Sequence, residues 1–321
     1  MSARMPKLIH RVTTVVRRIR RVADDVLSFE LADPDDWDLP PFTAGAHIDV
    51  HLPNGAVRQY SLHGDPAEAR RYRIAVKREA AGRGGSACLH RDVAEGSVLP
   101  VSLPRNHFPL AMAPHHVLIA GGIGITPFLS MIPALAASGA GFELHYCTRT
   151  PSATPFLEQL APLAAAGQVR HHFSRGDAPA RLDIAALIAG LPADAHVYCC
   201  GPAAMIRAVE EAAGPGFEGR FHAELFGPAD GAAGDGGFTV ELARSRRSIP
   251  VPPGRTILAA LREAGVEIGA SCEAGICLDC KTRYLAGTPV HRDLAMRAAD
   301  RAEFVTPCVS GCAGPSLVLD L

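Results

Sequence analysis

Cys272-Glu273-Ala274-Gly275-Ile276-Cys277-Leu278-Asp279-Cys280 sets three thiols in a C-x4-C-x2-C pattern, and Cys308 adds a fourth after 27 intervening residues. Four soft ligands in this order form the plant-type arrangement for a [2Fe–2S] centre. A structural zinc site more often shows two C-x2-C pairs, one at each end of a short domain, and only one such pair exists here. Zinc and unligated thiols are the alternatives. A centre of this kind stores one electron and does no chemistry alone, so other parts of the chain must feed it.

Around the cysteines, residues 237–321 read as a small α+β domain. Phe238–Leu242 and Ser248–Val251 are predicted strands, followed by a helix over Thr256–Ala264. That helix has Ile257, Leu258, Leu261 and Ala264 on one face and stops at Gly265. Lys281–Leu285 and Leu317–Leu319 complete a mixed sheet. The loop 269–280 is rich in small residues, which lets a backbone wrap a cluster and aim N–H groups at its sulfurs. Just upstream, Gly227-Pro228-Ala229-Asp230-Gly231-Ala232-Ala233-Gly234-Asp235-Gly236 has almost nothing to pack and reads as a flexible linker, residues 227–236. A chain of this kind reaches roughly 15–20 Å.

The preceding region, residues 109–226, opens with the apolar strand Val117–Ala120, followed at once by Gly121-Gly122-Ile123-Gly124-Ile125-Thr126-Pro127. A strand, a glycine turn and a helix in succession deliver a pyrophosphate to a helix N-terminus. Thr126 is the expected N-cap and Pro127 the first helical residue, and Pro133 is expected to kink or end the helix early. Pro127 replaces the third glycine of the dinucleotide fingerprint. Strands at Phe142–Cys147 and His196–Cys199 alternate with helical stretches at Thr154–Ala166 and Ala203–Ala212, which argues for a parallel doubly wound sheet. Thr148-Arg149 stands where an NAD site often carries a ribose-binding acid, and an arginine there suits a 2′-phosphate. The choice between NADH and NADPH is open on these grounds.

Residues 1–108 show short strands at even spacing: Leu8–Arg17, Val26–Leu31, Ala46–Leu52, Val57–Leu62 and Tyr72–Lys77, with turn signals such as Pro53-Asn54-Gly55 between them. This pattern predicts an antiparallel β-barrel. Arg58, Tyr60 and Leu62 share one strand face, with Gln59 and Ser61 on the other. Gly82-Arg83-Gly84-Gly85-Ser86 then leads into a short helix over Ala87–Val93, with Ser86 as the expected N-cap. An aromatic and a cation for a flat ring, and glycines before a helix start for a phosphate, together suit the two ends of a flavin mononucleotide.

The formal charge of −1 leaves no electrostatic footprint for nucleic acid or an anionic membrane. The basic N-terminus at Arg17, Arg18, Arg20 and Arg21 is not followed by an apolar signal region, so a soluble, cytoplasmic protein is expected. Cys88, Cys147, Cys199, Cys200 and Cys312 are by default small buried residues.

With these motifs in this order, the chain from about residue 10 to Leu321 resembles the reductases of the phthalate dioxygenase reductase type. These serve Rieske oxygenases and include the vanillate demethylase reductases. The resemblance implies a flavin barrel, a nicotinamide domain and a C-terminal plant-type ferredoxin domain of β-grasp form. It implies that Arg58, Tyr60, Ser61, Lys77, Gly84, Gly85 and Ser86 line FMN. NADH would meet Gly121, Gly122, Gly124, Thr126, Arg149, Cys200, Gly201 and Pro202, and Phe226 would cover the flavin face where nicotinamide docks. Cys272, Cys277, Cys280 and Cys308 would hold the cluster. Leu278-Asp279 departs from the glycine and small residue usual in the family, and a carboxylate so near a cluster favours its oxidised form.

The expected activity is an NADH-dependent reductase, a monomer that splits a hydride into single electrons by way of FMN and [2Fe–2S]. The expected partner is a terminal oxygenase of Rieske type acting on aromatic rings or methoxy groups. A haem-thiolate monooxygenase is the alternative partner, and a non-catalytic metal-stapled binding module is the alternative from another class.

Overall fold

The computed structural model describes residues 11–80, 82, 84–176, 179–226, 236–270, 273, 275, 278–293 and 296–321. The chain divides into two compact units, Met1–Ala223 and Glu224–Leu321.

The first unit begins with β1 (Arg11–Ala23), β2 (Val26–Ala32), β3 (His47–His51), β4 (Val57–Ser61) and β5 (Tyr72–Lys77), then α1 (Gly85–Asp92) and β6 (Val98–Ser102). The strands form one antiparallel sheet in the order β4-β3-β6-β1-β2-β5. Period-two alternation turns Val16, Phe29, Leu31, Ile48, Val50, Ile74, Val76, Leu99 and Val101 into one core. Each such side chain contributes roughly 1.5–3 kcal/mol on full burial. The sheet curls until its edges meet, where the His63 N–H donates to the Arg73 carbonyl of β5 at 2.9 Å. The result is the antiparallel β-barrel that the sequence predicts. Strand β6 is an addition to that prediction. Pro100 argues against an inner strand, but β6 meets β3 only at Val50 and Val101, so the missing N–H costs little there.

A second sheet follows from β7 (His115–Gly121), α2 (Thr126–Ser138), β8 (Gly141–Thr148), α3 (Leu157–Ala165), β9 (Val169–Phe173), α4 (Ile184–Ala189), β10 (His196–Gly201), α5 (Ala203–Ala213) and β11 (Phe221–Leu225). Its order is β11-β10-β7-β8-β9, with β10/β7, β7/β8 and β8/β9 parallel. Strand order reverses between β7 and β10. That switch point is where an open α/β sheet leaves a crevice for a ligand.

Two local expectations are corrected here. Pro133 does not end α2, and the helix runs on to Ser138 and closes on Gly139 at φ +70°. Phe128, Leu129, Met131 and Leu135 are buried along it, and this packing outweighs the backbone bond that the proline forfeits. The helix expected from Thr154 starts only at Leu157. Phe156 takes φ +60°, and the buried Thr154 hydroxyl donates instead to the Thr150 carbonyl at 2.8 Å.

The second unit contains β12 (Phe238–Leu242), β13 (Arg247–Val251), α6 (Ile257–Glu263), β14 (Thr282–Val290), α7 (Ala298–Arg301), β15 (Phe304–Val305) and β16 (Gly311–Leu319). The sheet order is β13-β12-β16-β14-β15, mixed, with β12 and β16 parallel. Thr256 caps α6 by accepting the Ala259 N–H at 3.1 Å. Ile257 and Leu261 then pack on Val240, Leu242, Leu317 and Leu319. β14 and β16 both outrun their predicted lengths, because Gly287 at φ +106° lies too close to the Ser316 carbonyl for any side chain and lets the strands pair through irregular register. The predicted linker lies, over residues 227–235, outside the described residues. Among the described residues no helix is long and apolar enough to cross a membrane.

Candidate functional site

In the second unit, Cys280 and Cys308 come together from positions 28 apart, with Sγ atoms 3.3 Å from each other and both residues buried. A disulfide would bring them to about 2.05 Å. Two thiolates on one tetrahedral metal, each about 2.3 Å from it, stand about 3.8 Å apart. The observed pair therefore suits shared ligation with little movement. Leu258, Val309, Ile268 and Ala270 wrap the two sulfurs in apolar surface. Cys272 and Cys277 lie outside the described residues. Of the intervening loop, Glu273, Gly275 and Leu278 take φ of +51°, +74° and +60°, the local geometry of a chain wrapping tightly. Arg262 anchors Glu273 at 2.6 Å. Asp279 is exposed.

At the switch point of the parallel sheet, the glycines divide by role. A Cβ on Gly121 would lie 2.7 Å from Pro202 Cδ, one on Gly124 would lie 2.2 Å from the Cys200 carbonyl oxygen, and one on Gly201 would lie 3.0 Å from Gly121 Cα. These three let the β7 turn and the end of β10 touch backbone to backbone. Gly122 differs: at φ +57°, a Cβ there would meet nothing within 4 Å, so its turn faces open space. The Gly122 carbonyl is held by Tyr146 Oη at 3.0 Å. Thr126 is not the N-cap. A 3-10 turn over Gly122–Ile125 precedes α2, Ile125 takes the cap position, and the Thr126 hydroxyl donates back to the Ile123 carbonyl at 3.1 Å. Cys200 is fully buried, Pro202 starts α5, and Arg149 is exposed just past β8. Phe226 follows β11 and is half-buried.

The barrel brings Arg58, Gly84, Gly85 and Ser86 together. A Cβ on Gly85 would fall 2.7 Å from Arg58 Cγ, so only glycine lets the arginine stem lie across the start of α1. Ser86 is not the N-cap. That place belongs to Gly84 at φ +78°, and Ser86 Oγ accepts the Glu79 N–H at 3.0 Å. The backbone explains the exchange: a left-handed cap conformation is available only to glycine at low cost. Glu79 also holds Lys77 Nζ at 2.6 Å. No acid lies in the first turn of α1, whose N–H groups and the nearby guanidinium form a donor set for a phosphate. Tyr60 is partly buried against the barrel core, and burial pushes its phenol well up, with Arg58 pulling the other way. It stays a neutral aromatic surface for a ring. Glu79 and Asn54, which approaches Gly84, are site neighbours that the motifs gave no way to foresee.

Cys88, Cys199, Cys200 and Cys312 are buried as expected, whereas Cys147 on β8 is only half-buried. Burial pushes the Cys199 thiol up to about 12 and Cys147 up to about 11, so both stay protonated at neutral pH. Buried histidines give the fold an acid limit. Burial lowers His63 to about 3, with Arg73 adding to the effect, and lowers His222 to about 4. The unfolded chain then binds more protons below about pH 6.5, so stability is full above that value and is lost as pH falls toward 3. His63 alone contributes a slope of about 1.4 kcal/mol per pH unit. Thermal melts from pH 7.5 to 5 are expected to show this loss, and His63→Gln is expected to flatten it; an unchanged slope in the variant would rule out His63 as the source.

Two family descriptions match the chain: "2Fe-2S iron-sulfur cluster binding domain" over residues 240–312 and "Oxidoreductase NAD-binding domain" over residues 118–211. The chain is 47% identical to the phenoxybenzoate dioxygenase subunit beta of Ectopseudomonas oleovorans, over 97% of each chain. It is 43% identical to the phthalate dioxygenase reductase of Burkholderia cepacia, over 94% of each. The solved structure of phthalate dioxygenase reductase, described as modular and as transferring electrons from pyridine nucleotides to [2Fe–2S], superposes with a TM-score of 0.78 at 42% identity, covering 97% of this chain and 98% of that one. The glycine turn falls within the matched nucleotide domain and the paired cysteines within the matched cluster domain, and with likeness running nearly end to end, the chain belongs to the phthalate dioxygenase reductase family of oxidoreductases.

Proposed function

We infer that this chain accepts hydride from NADH and delivers electrons one at a time to a terminal oxygenase, a Rieske-type enzyme that hydroxylates or O-demethylates aromatic compounds. Bound FMN supplies the step between two-electron and one-electron chemistry, and bound [2Fe–2S] supplies a one-electron store. The observation that carries the reading is one chain holding both an open glycine turn at a sheet switch point and a buried, apolar-wrapped Cys280–Cys308 pair.

Within this reading the chain has a flavin domain at 1–108, a nicotinamide domain at 109–226, a linker at 227–236 and a ferredoxin domain at 237–321. Gly84, Gly85, Ser86 and Arg58 bind the FMN phosphate, while Tyr60, Ser61 and Lys77 orient the ring. Gly122 lets the NADH pyrophosphate approach, Gly121, Gly124, Thr126, Cys200, Gly201 and Pro202 shape the turn beneath it, and Arg149 faces the ribose end. Phe226 shields the flavin face until nicotinamide displaces it. Cys272, Cys277, Cys280 and Cys308 hold the cluster. The protein works as a cytoplasmic monomer.

The purified protein is expected to be reddish-brown, with flavin absorbance at about 450 nm overlapped by iron–sulfur bands and bleached by NADH. A colourless, zinc-containing sample would overturn the reading. Electron delivery to a purified haem-thiolate monooxygenase in preference to a Rieske oxygenase would overturn the choice of partner alone.

A further inference from the structure

Asp293 is a carboxylate with no exposed side-chain surface in the second unit. Its Oδ2 accepts from Arg301 Nη2 at 3.1 Å, from Arg301 Nε at 3.3 Å and from the Met296 N–H at 3.0 Å. Arg301 Nη2 also donates to the Asp293 carbonyl at 2.9 Å. Oδ1 is buried without a hydrogen bond, and His291 Nδ1, itself unpaired, stands 3.7 Å away. A buried carboxylate left half-satisfied is costly and calls for a reason.

The reason lies in what packs on it. Gly275, inside the cysteine loop, has room for no Cβ: one would fall 2.9 Å from Asp293 Cα and 2.7 Å from Val309 Cγ2. Val309 follows Cys308, and its carbonyl accepts from Arg292 Nη1 at 3.3 Å. The segment His291-Arg292-Asp293 thus touches the loop between the first two cysteines and the arm that carries the fourth.

We propose that Asp293 is a positioning residue of the iron–sulfur site that also sets how readily the site takes an electron, its charge offset by Arg301. The proposal rests on the [2Fe–2S] reading above. One-electron reduction adds negative charge to the site, and a fixed buried carboxylate opposes that more strongly than an exposed one, because little water screens it. Arg301 is 38% exposed at its side chain and partly cancels the field. Removing one partner therefore shifts the balance in a direction set by which charge remains.

The test is an equilibrium redox titration of the intact protein, followed by its visible bands and by the paramagnetic signal of its reduced form, with iron and sulfide content measured alongside. Asp293→Asn keeps the volume and a carbonyl oxygen for Met296 and Arg301; it is expected to raise the midpoint. Arg301→Gln is expected to lower it, and the double variant is expected to return near the parent. Opposite signs are the signature of charge, since a merely structural role moves both variants the same way. Unmoved midpoints at full cluster content, or loss of cluster from both single variants without opposite shifts, would overturn the proposal. A parent protein without [2Fe–2S] bands would instead overturn the functional reading on which it rests.

Discussion

Replacing Cys308 by serine is expected to stop electron delivery to the protein acceptor while NADH-driven reduction of a small artificial acceptor continues. In the proposed cluster site the cysteine loop would supply three ligands within nine residues of sequence, and the arm before β16 would supply the fourth. Its Sγ sits 3.3 Å from that of Cys280 in a dry, apolar setting, where a hard hydroxyl is a poor substitute for a thiolate. Loss of an outer-shell partner at a metal site costs up to about a hundredfold in metal affinity or activity, so loss of a ligand should exceed that for the protein acceptor. The unit should stay folded, because Phe238, Val240, Leu261, Leu317 and Leu319 form its main core and Cys308 belongs to a separate small apolar group. The residues proposed for flavin and nucleotide lie in Met1–Ala223, apart from Phe226, so activity with ferricyanide should remain within about twofold, the range of a remote, additive substitution. Parallel loss of both activities would show that the flavin half depends on the cluster half.

How much of this was legible from sequence follows from which signals are local. The alternation in Tyr72–Lys77 and the amphipathic face of the helix after Thr256 are local, and each appears where the sequence puts it; of the four cysteines, Cys280 and Cys308 come together, while Cys272 and Cys277 lie outside the described residues. Strands β9 and β11 were hidden because Val169-Arg170-His171-His172-Phe173 and Phe221-His222-Ala223-Glu224-Leu225 carry too many polar residues to read as sheet. Ser86 and Thr126 are good N-cap residues by type, but a capping preference is weak against other nearby partners, and each hydroxyl found a different carbonyl or N–H close by in the chain. The Asp293–Arg301 pair was unreadable, since its meaning depends on Gly275 and Val309 arriving from two distant segments. The glycines are the most instructive. Their positions follow from the motif, but most of them serve chain-to-chain approach, which the motif does not state.

That distinction yields the other large effect. Gly124→Ala would place a Cβ 2.2 Å from the Cys200 carbonyl oxygen, 2.6 Å from its carbon and 3.0 Å from the Gly201 nitrogen, all backbone atoms that cannot swing aside as a side chain would. The β7 turn must then move away from the end of β10. Overpacking of this kind costs about 1–3 kcal/mol. A displacement of about 1 Å at a nucleotide-positioning turn costs on the order of a hundredfold in rate. The variant is therefore expected to melt several degrees lower and to lose roughly a hundredfold in kcat/KM for NADH. Gly122→Ala is the contrast. Its Cβ meets nothing within 4 Å, so the penalty is the φ of +57°, about 1–2 kcal/mol. The new methyl also enters the open space over the turn. With NADH passing there, Gly122→Ala should raise KM for NADH more than it lowers the melting temperature, whereas Gly124→Ala should lose both together. If Gly122→Ala left KM unchanged, the pyrophosphate would have to bind elsewhere than over this turn; if Gly124→Ala melted like the parent, β7 and β10 would have slack that their backbone contact denies.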